Sequence, residues 1–209
     1  MIPKILHQIW VGPHPIPPKF KEYSKTWQNL HPDWKYKLWT ENNIKFPIIN
    51  QKYYNQAKTR SEQKDHIMLD RLYKYGGLYV DFDYECLRNI DELLRGHSII
   101  ICKEADHTIR EYGKSYNKWY NTGLLGSTNM HLLIKKLIDA IPQRYHDWYD
   151  MPRNQQRKYI CPVCYRSGPE FLTETLYDED IFTYPVSIFN ELYARHDYES
   201  SWKKPEGII

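Results

Sequence analysis

Asp81-Phe82-Asp83 sets two carboxylates one residue apart. Like charges held that close repel, so something positive must sit between or beside them. A divalent cation with oxygen ligands meets that need. Mg²⁺ or Mn²⁺ held by one or two carboxylates completes its shell with water and substrate phosphates. The plainer alternative is a solvated strand end whose acids are salt-bridged to nearby Lys or Arg. Asp65 is a third acid of interest. It lies on the stripe of a helical run that also carries Met68 and Leu69, and an acid on an inward helix face needs a partner. Two readings stay open for it: a first-turn acid favoured by the helix dipole and wetted by solvent, or a group aimed into a ligand pocket.

The elements that must position these acids follow from the flanking pattern. Leu78, Val80 and Phe82 alternate with Tyr79, Asp81 and Asp83, which is strand periodicity. In an extended strand Tyr79, Asp81 and Asp83 share one face. Gly76-Gly77 separates that strand from a helix over 61–75, with Ser61 as its cap and Glu62 in its first turn. The acids then stand at the carboxyl edge of a strand, where ligands bind in open α/β sheets. Upstream, residues 2–11 read as a buried strand, Phe20, Tyr23, Trp27 and Leu30 as a helix, and 34–39 as a second strand. That βαβ order implies a parallel sheet. No G-x-G-x-x-G follows the first strand, which argues against a dinucleotide-binding enzyme. Downstream, strands are expected at 98–102, 122–126 and 181–185. Helices are expected over 89–94, from Asn129 to a stop at Pro142, and after Gly168-Pro169. A loop is expected over 103–120, and 194–202 is polar and ends in two aromatics.

The 209 residues suffice for one core, and no repeat or linker divides them, so residues 1–209 are expected to form a single domain. A mean hydropathy of −0.75 and the lack of a long apolar run argue against a membrane span. No signal peptide is visible in the first residues, so a soluble, cytoplasmic protein is expected. A net charge of +3 is too weak to suggest nucleic acid. The 19 Tyr and 7 Trp are core and surface filler for the most part, and such rings also stack on sugars and bases. Of the four cysteines, Cys86 and Cys102 read as core residues. Cys161-Pro-Val-Cys164 reads as reduced structural thiols, with a zinc clip or a disulfide as alternatives.

Ile2 to Gly12, Asp65 with Leu72 to Asp83, Arg166-Ser-Gly-Pro169, His196 and Ser201-Trp202 together resemble glycosyltransferase family 32, in matching order along nearly the whole chain. That family includes initiating α-1,6-mannosyltransferases and capsular-polysaccharide enzymes, and the glucosyltransferase cores of large clostridial toxins resemble it more distantly. The resemblance implies a GT-A fold, α/β with a Rossmann-like, mostly parallel central sheet flanked by helices. It implies retaining sugar transfer from a nucleoside-diphosphate sugar, a UDP-sugar by preference or GDP-mannose, with Mn²⁺ or Mg²⁺. By position, Trp10 and Val11 would meet the base, and Asp65 the donor-sugar hydroxyls. Tyr79 and Asp81 would meet ribose and sugar, with Asp81 near the metal. Asp83 would bind the metal directly and His196 the metal or diphosphate. Ser200, Ser201 and Trp202 would reach the diphosphate. Asn121 would lie near sugar and acceptor. One departure stands out: the family has Arg three residues after the helix Asp, and this chain has Met68. Arg71 is one turn on and is the expected substitute.

Without an obvious second carboxylate as nucleophile, front-face attack is the expected route to retention. A glycan hydroxyl is the expected acceptor, with a protein or lipid-linked one as alternatives. Three other readings compete. A glycoside hydrolase needs its two acids about 5–9.5 Å apart and flanking the bond. A two-metal phosphoesterase would need more ligands than His196 adds. A non-catalytic carbohydrate-binding protein would need no paired acids.

Overall fold

The computed structural model describes residues 1–104, 109–111, 114–157, 159 and 161–199. In chain order the elements are β1 (Ile5–Ile9), α1 (Pro18–Leu30), β2 (Lys35–Trp39), α2 (Gln51–Gln56), α3 (Arg60–Tyr75), β3 (Gly77–Val80) and β4 (Tyr84–Cys86). Then come α4 (Asp91–Leu94), β5 (Ile99–Lys103), β6 (Ile109–Glu111), β7 (Lys114–Tyr116), β8 (Tyr120–Ser127) and α5 (Leu132–Asp150). The chain continues with α6 (Arg153–Gln156), α7 (Pro162–Arg166), α8 (Pro169–Thr175), a π-helical turn (Ile188–Leu192) and β9 (Ala194–His196).

The central sheet has the order β2-β1-β3-β8-β5. β1 pairs in parallel with β2 and β3, while β8 pairs antiparallel with both β3 and β5. Four strands therefore run one way and β8 alone runs against them, the mostly parallel sheet that the first βαβ unit implied. Period-2 alternation sorts the side chains into two apolar layers. Tyr79, Ile101 and Leu125 pack with Ile67 and Leu72 of α3 and with Ile134, Leu137 and Ile141 of α5. Leu78, Val80, Ile100 and Leu124 pack on the other face with Trp27 of α1 and Leu93 of α4. The result is helix, sheet, helix.

Several expectations are corrected. The acidic strand ends at Val80, so Asp81 and Asp83 lie beyond it: the Asp81 N–H donates to Gly123 O at 2.8 Å, and the chain turns into β4. Thr59, not Ser61, caps α3, with its hydroxyl accepting from Glu62 N at 3.2 Å. Glu62 in turn accepts from Lys58 N at 2.8 Å, one residue before the cap, which ties the entering chain to the first turn much as a capping box does. Pro142 does not stop α5, which runs on to Asp150. A proline inside a helix orphans the carbonyl four residues back. Here that carbonyl, Ile138 O, accepts from Asn50 Nδ2 at 2.7 Å. Residues 181–185 form no strand, and the expected loop over 103–120 contains the β6–β7 pair. Cys161 and Cys164 form a disulfide across one helical turn, with Cα atoms 5.2 Å apart, which is bridgeable spacing. Cys86 and Cys102 are buried thiols outside that disulfide, as expected of core residues.

Candidate active site

The carboxyl ends of β1, β3 and β5 and the amino end of β8 meet at one edge of the sheet, and a cavity of about 540 Å³ opens there. β1 delivers Trp10 and Val11 to it, β3 delivers Asp81 and Asp83, β5 delivers Glu104, and β8 delivers Asn121 and Thr122. The first turns of α3 add Arg60, Ser61, Lys64 and Asp65, and His196 closes the side from β9. Gly123 lets β8 approach: a Cβ there would stand 2.8 Å from Asn121 Oδ1 and 3.1 Å from Asp81 Oδ2.

Asp81 is fully engaged. Lys64 Nζ donates to its Oδ1 at 2.8 Å and its Oδ2 at 3.0 Å, and the Tyr79 hydroxyl also donates to Oδ1. Burial alone would lower the Lys64 ammonium, but Asp81 and Asp65 together raise it, so it stays charged. Asp65 is buried on the next position of α3. Its Oδ2 accepts from Ser167 Oγ at 2.8 Å, while its Oδ1 is 3.7 Å from Lys64 Nζ and has no hydrogen-bond partner. Burial pushes the Asp65 carboxyl up to about 7, against the opposing pull of Lys64 and Ser167. Behind Ser167 stands a buried ion pair. Arg166 Nη2 donates to Glu62 Oε2 at 2.9 Å, and Tyr145 OH donates to Glu62 Oε1 at 2.7 Å. This pairing fixes α7 against α3 and so holds Ser167 beside Asp65.

Asp83 faces His196, with Nε2 at 3.3 Å from Oδ2. The imidazole is stacked on Tyr84 at 4.1 Å between centroids, and the β4–β9 register places these two residues opposite each other. Trp27 Nε1 donates to Tyr84 O at 2.9 Å, which anchors that platform to α1. Burial would raise the Asp83 carboxyl, but the hydrogen bond and charge of His196 hold it below the usual range. His196 Nδ1 is buried and without a partner. Among the described residues no three His, Cys, Asp or Glu side chains converge on one point. Asp83 and His196 nonetheless offer an oxygen and a nitrogen donor that a divalent ion could use. A two-group protein shell fits an ion that takes its other ligands from water and a diphosphate. Opposite them, Asn121 Nδ2 donates to Glu104 Oε1 at 3.1 Å, and burial raises the Glu104 carboxyl against the pull of His196.

Asp65, Asp81, Asp83, Asn121, Trp10, Val11 and His196 thus converge on one cavity. Tyr79 does not line it: its ring is buried in the core and only its hydroxyl reaches forward, to Asp81. Ser200, Ser201 and Trp202 lie outside the described residues. Arg71 does not replace the missing family arginine, because it is buried over Trp39, 4.5 Å from the ring centroid, and away from the cavity. Sequence reasoning passed over Lys64 and Glu104 and gave no role to Ser167, which it met only as part of Arg166-Ser-Gly-Pro169. Helical spacing puts 61, 64, 65 and 68 on one side of α3, so Lys64 was within reach of the pattern. Glu104 follows a β-branched strand at the ligand edge, a signal of the same kind.

The sheet order, the reversed β8 and the acids at the carboxyl edge define a GT-A glycosyltransferase fold. The PaToxG glycosyltransferase superposes with a TM-score of 0.62 at 17% identity, over 86% of this chain and 70% of that one. The catalytic domain of α-toxin from Clostridium novyi gives 0.56 at 12% identity, over 87% and 64%. Residues 17–100 match the model of the family described as "Glycosyltransferase sugar-binding region containing DXD motif". The chain is 38% identical to inositol phosphoceramide mannosyltransferase 3 of Schizosaccharomyces pombe, over 82% of this chain and 44% of that protein. It is 37% identical to a mannosyl phosphorylinositol ceramide synthase of Saccharomyces cerevisiae, over 45% and 26%. The chain therefore spans less than half the length of the curated relatives it matches.

Proposed function

We propose that residues 1–209 act as one metal-dependent, retaining glycosyltransferase domain that moves a hexose from a nucleoside-diphosphate sugar to a hydroxyl of a glycan or glycolipid head group. The observation that carries this reading is Asp83 and His196 facing each other across the rim of a cavity that Trp10 and Val11 also line. The mannosyltransferase relatives add weight to mannose as the sugar and to an inositol-bearing lipid as the acceptor. That shifts the donor preference from a UDP-sugar toward GDP-mannose.

A bound Mn²⁺ or Mg²⁺ would neutralise the diphosphate as it leaves. Asp83 and His196 would hold that ion. Trp10 and Val11 flank the base, and the unpartnered Oδ1 of Asp65 accepts a donor-sugar hydroxyl. Asn121 and Glu104 present an amide and a carboxyl where sugar and acceptor meet. Holding the acceptor hydroxyl beside the anomeric carbon supplies much of the rate. For retention, the acceptor attacks from the face the diphosphate leaves, and a phosphate oxygen takes its proton. Glu104 favours a second route, because a carboxylate in the cavity is a candidate nucleophile for double displacement. Mass spectrometry of intact protein after donor addition separates the two: front-face attack leaves the mass unchanged, and a hexose adduct on Glu104 would replace it with the covalent route. The activity itself is tested by incubation with GDP-mannose and a panel of UDP-sugars, with and without Mn²⁺. Released nucleoside diphosphate that depends on the ion supports the reading, and no release from any donor contradicts it.

A further inference from the structure

The cavity already contains a cation of its own. Lys64 Nζ lies 2.8 and 3.0 Å from the two oxygens of Asp81 and 3.7 Å from Asp65 Oδ1, and it sits 5.7 Å from the centroid of the Tyr79 ring. Its side chain is only 15% exposed, so the ammonium is not a surface charge that water would screen. Asp81 accepts from Lys64 on both oxygens and from the Tyr79 hydroxyl on one, which fills most of what a carboxylate can accept. A divalent ion that used Asp81 would have to displace that ammonium. Asp83, 15% exposed, meets His196 Nε2 at 3.3 Å and the Glu199 N–H at 3.3 Å and, among the described residues, forms no ion pair with a lysine or arginine.

We propose that Lys64 is a positioning residue that competes with the divalent ion for Asp81. It confines the protein's share of the metal shell to Asp83 and His196 and keeps cation affinity low until a diphosphate supplies the missing ligands. The inference rests on the cation-dependent reading given above, and it assigns the two acids of Asp81-Phe82-Asp83 unequal work. Asp81 is neutralised from within the protein, and Asp83 is left for the ion. Two unit charges about 4 Å apart in a partly buried site interact strongly enough that removing one of them changes a neighbouring cation's affinity by at least about tenfold.

The test is Mn²⁺ binding to the purified full chain, followed by the loss of the free-ion electron paramagnetic resonance signal, without nucleotide and with saturating UDP or GDP. Lys64→Met is expected to tighten Mn²⁺ binding at least about tenfold without nucleotide, since Asp81 is then released to the ion. Lys64→Met with Asp81→Asn is expected to return to the wild-type affinity, because the freed ligand is gone. Should Lys64→Met fail to fold, Lys64→Gln carries the same expectation, as it keeps a hydrogen-bond donor toward Asp81. Equal Mn²⁺ affinity in the wild type and the charge-removing variant would overturn the competition. If no protein, wild type included, bound Mn²⁺ even with nucleotide present, the cation-dependent reading of the site would fall first, and the role of Lys64 with it.

Discussion

Asp65 shows how one buried carboxyl ties stability to pH. Its folded-state value of about 7 lies above the ordinary 3.8, because burial disfavours the charge. The folded protein therefore keeps a proton that the unfolded chain has already lost. The stability this supplies is fully present below about pH 4 and is lost as pH rises through 7, at up to about 1.4 kcal/mol per unit. Asp65→Asn is expected to remove that dependence. Urea midpoints of variant and wild type should converge near pH 4 and separate above pH 7 in the variant's favour. A constant difference across the range would place the cost elsewhere. At this scale Asp83 and Asp81 were legible because two adjacent acids demand a counter-charge. The identity of that counter-charge was not. Lys64 comes from a helix 17 positions upstream, and only the packing of α3 on β3 brings it to Asp81. The reading of the acids as salt-bridged to a lysine holds for Asp81, and the cation reading is left to Asp83.

Elements carry these residues, and two of them depend on backbone details that the pattern only partly disclosed. Gly77 sits at φ 106°, and a Cβ there would stand 2.5 Å from Ile5 O. The two-glycine turn is therefore required both by conformation and by the close approach of β1. Gly77→Ala is expected to cost at least about 1–3 kcal/mol in urea unfolding, and an unchanged midpoint would mean that β1 and β3 can part without loss. In α5, Pro142 was read as a stop because its ring excludes a normal helix bond. Nothing local to 129–142 announces Asn50, whose amide takes over the freed Ile138 carbonyl from 88 residues away. Asn50→Gly tolerates the residue's φ of 64° and removes the amide. It is expected to cost about 1–3 kcal/mol, and Pro142→Ala in the same chain should recover part of that by restoring the helix bond. Additive effects of the two changes would mean that they do not share a carbonyl. The early end of β3 has a similar origin: Asp81 leaves the strand to bond Gly123 O, a partner on β8 that alternation within 78–83 cannot show.

For the whole molecule, the order strand, helix, strand at the amino end implied a parallel sheet, and the mostly apolar run 2–11 implied a buried strand in it. What it could not give was the reversed β8, since direction depends on how the chain returns after β5. Among the buried histidines, His7 and His66 are held in their neutral form. Trp39 Nε1 donates to His7 Nδ1 at 2.9 Å, so Nε2 carries the proton that goes to Gly76 O. His66 gives its Nε2 proton to Tyr145, whose hydroxyl is already committed to Glu62. Burial lowers both to about 4. A histidine lowered on folding contributes stability that is present above about pH 6.5 and lost as pH falls toward 4. His66→Gln is accordingly expected to flatten the acid limb of the urea midpoint between those values, and an unaltered limb would show that His66 is not buried neutral. The cation proposed to sit between Asp83, His196 and a diphosphate is the point on which the reading of site and fold comes together. Its most direct measurement is Mn²⁺-dependent release of nucleoside diphosphate from nucleotide sugar, by the wild type and by Asp83→Asn. We expect ion-dependent release by the wild type and a loss of at least about a hundredfold in the variant, equivalent to about 2.7 kcal/mol, with its thermal unfolding preserved. Equal release by a folded Asp83→Asn would contradict the account.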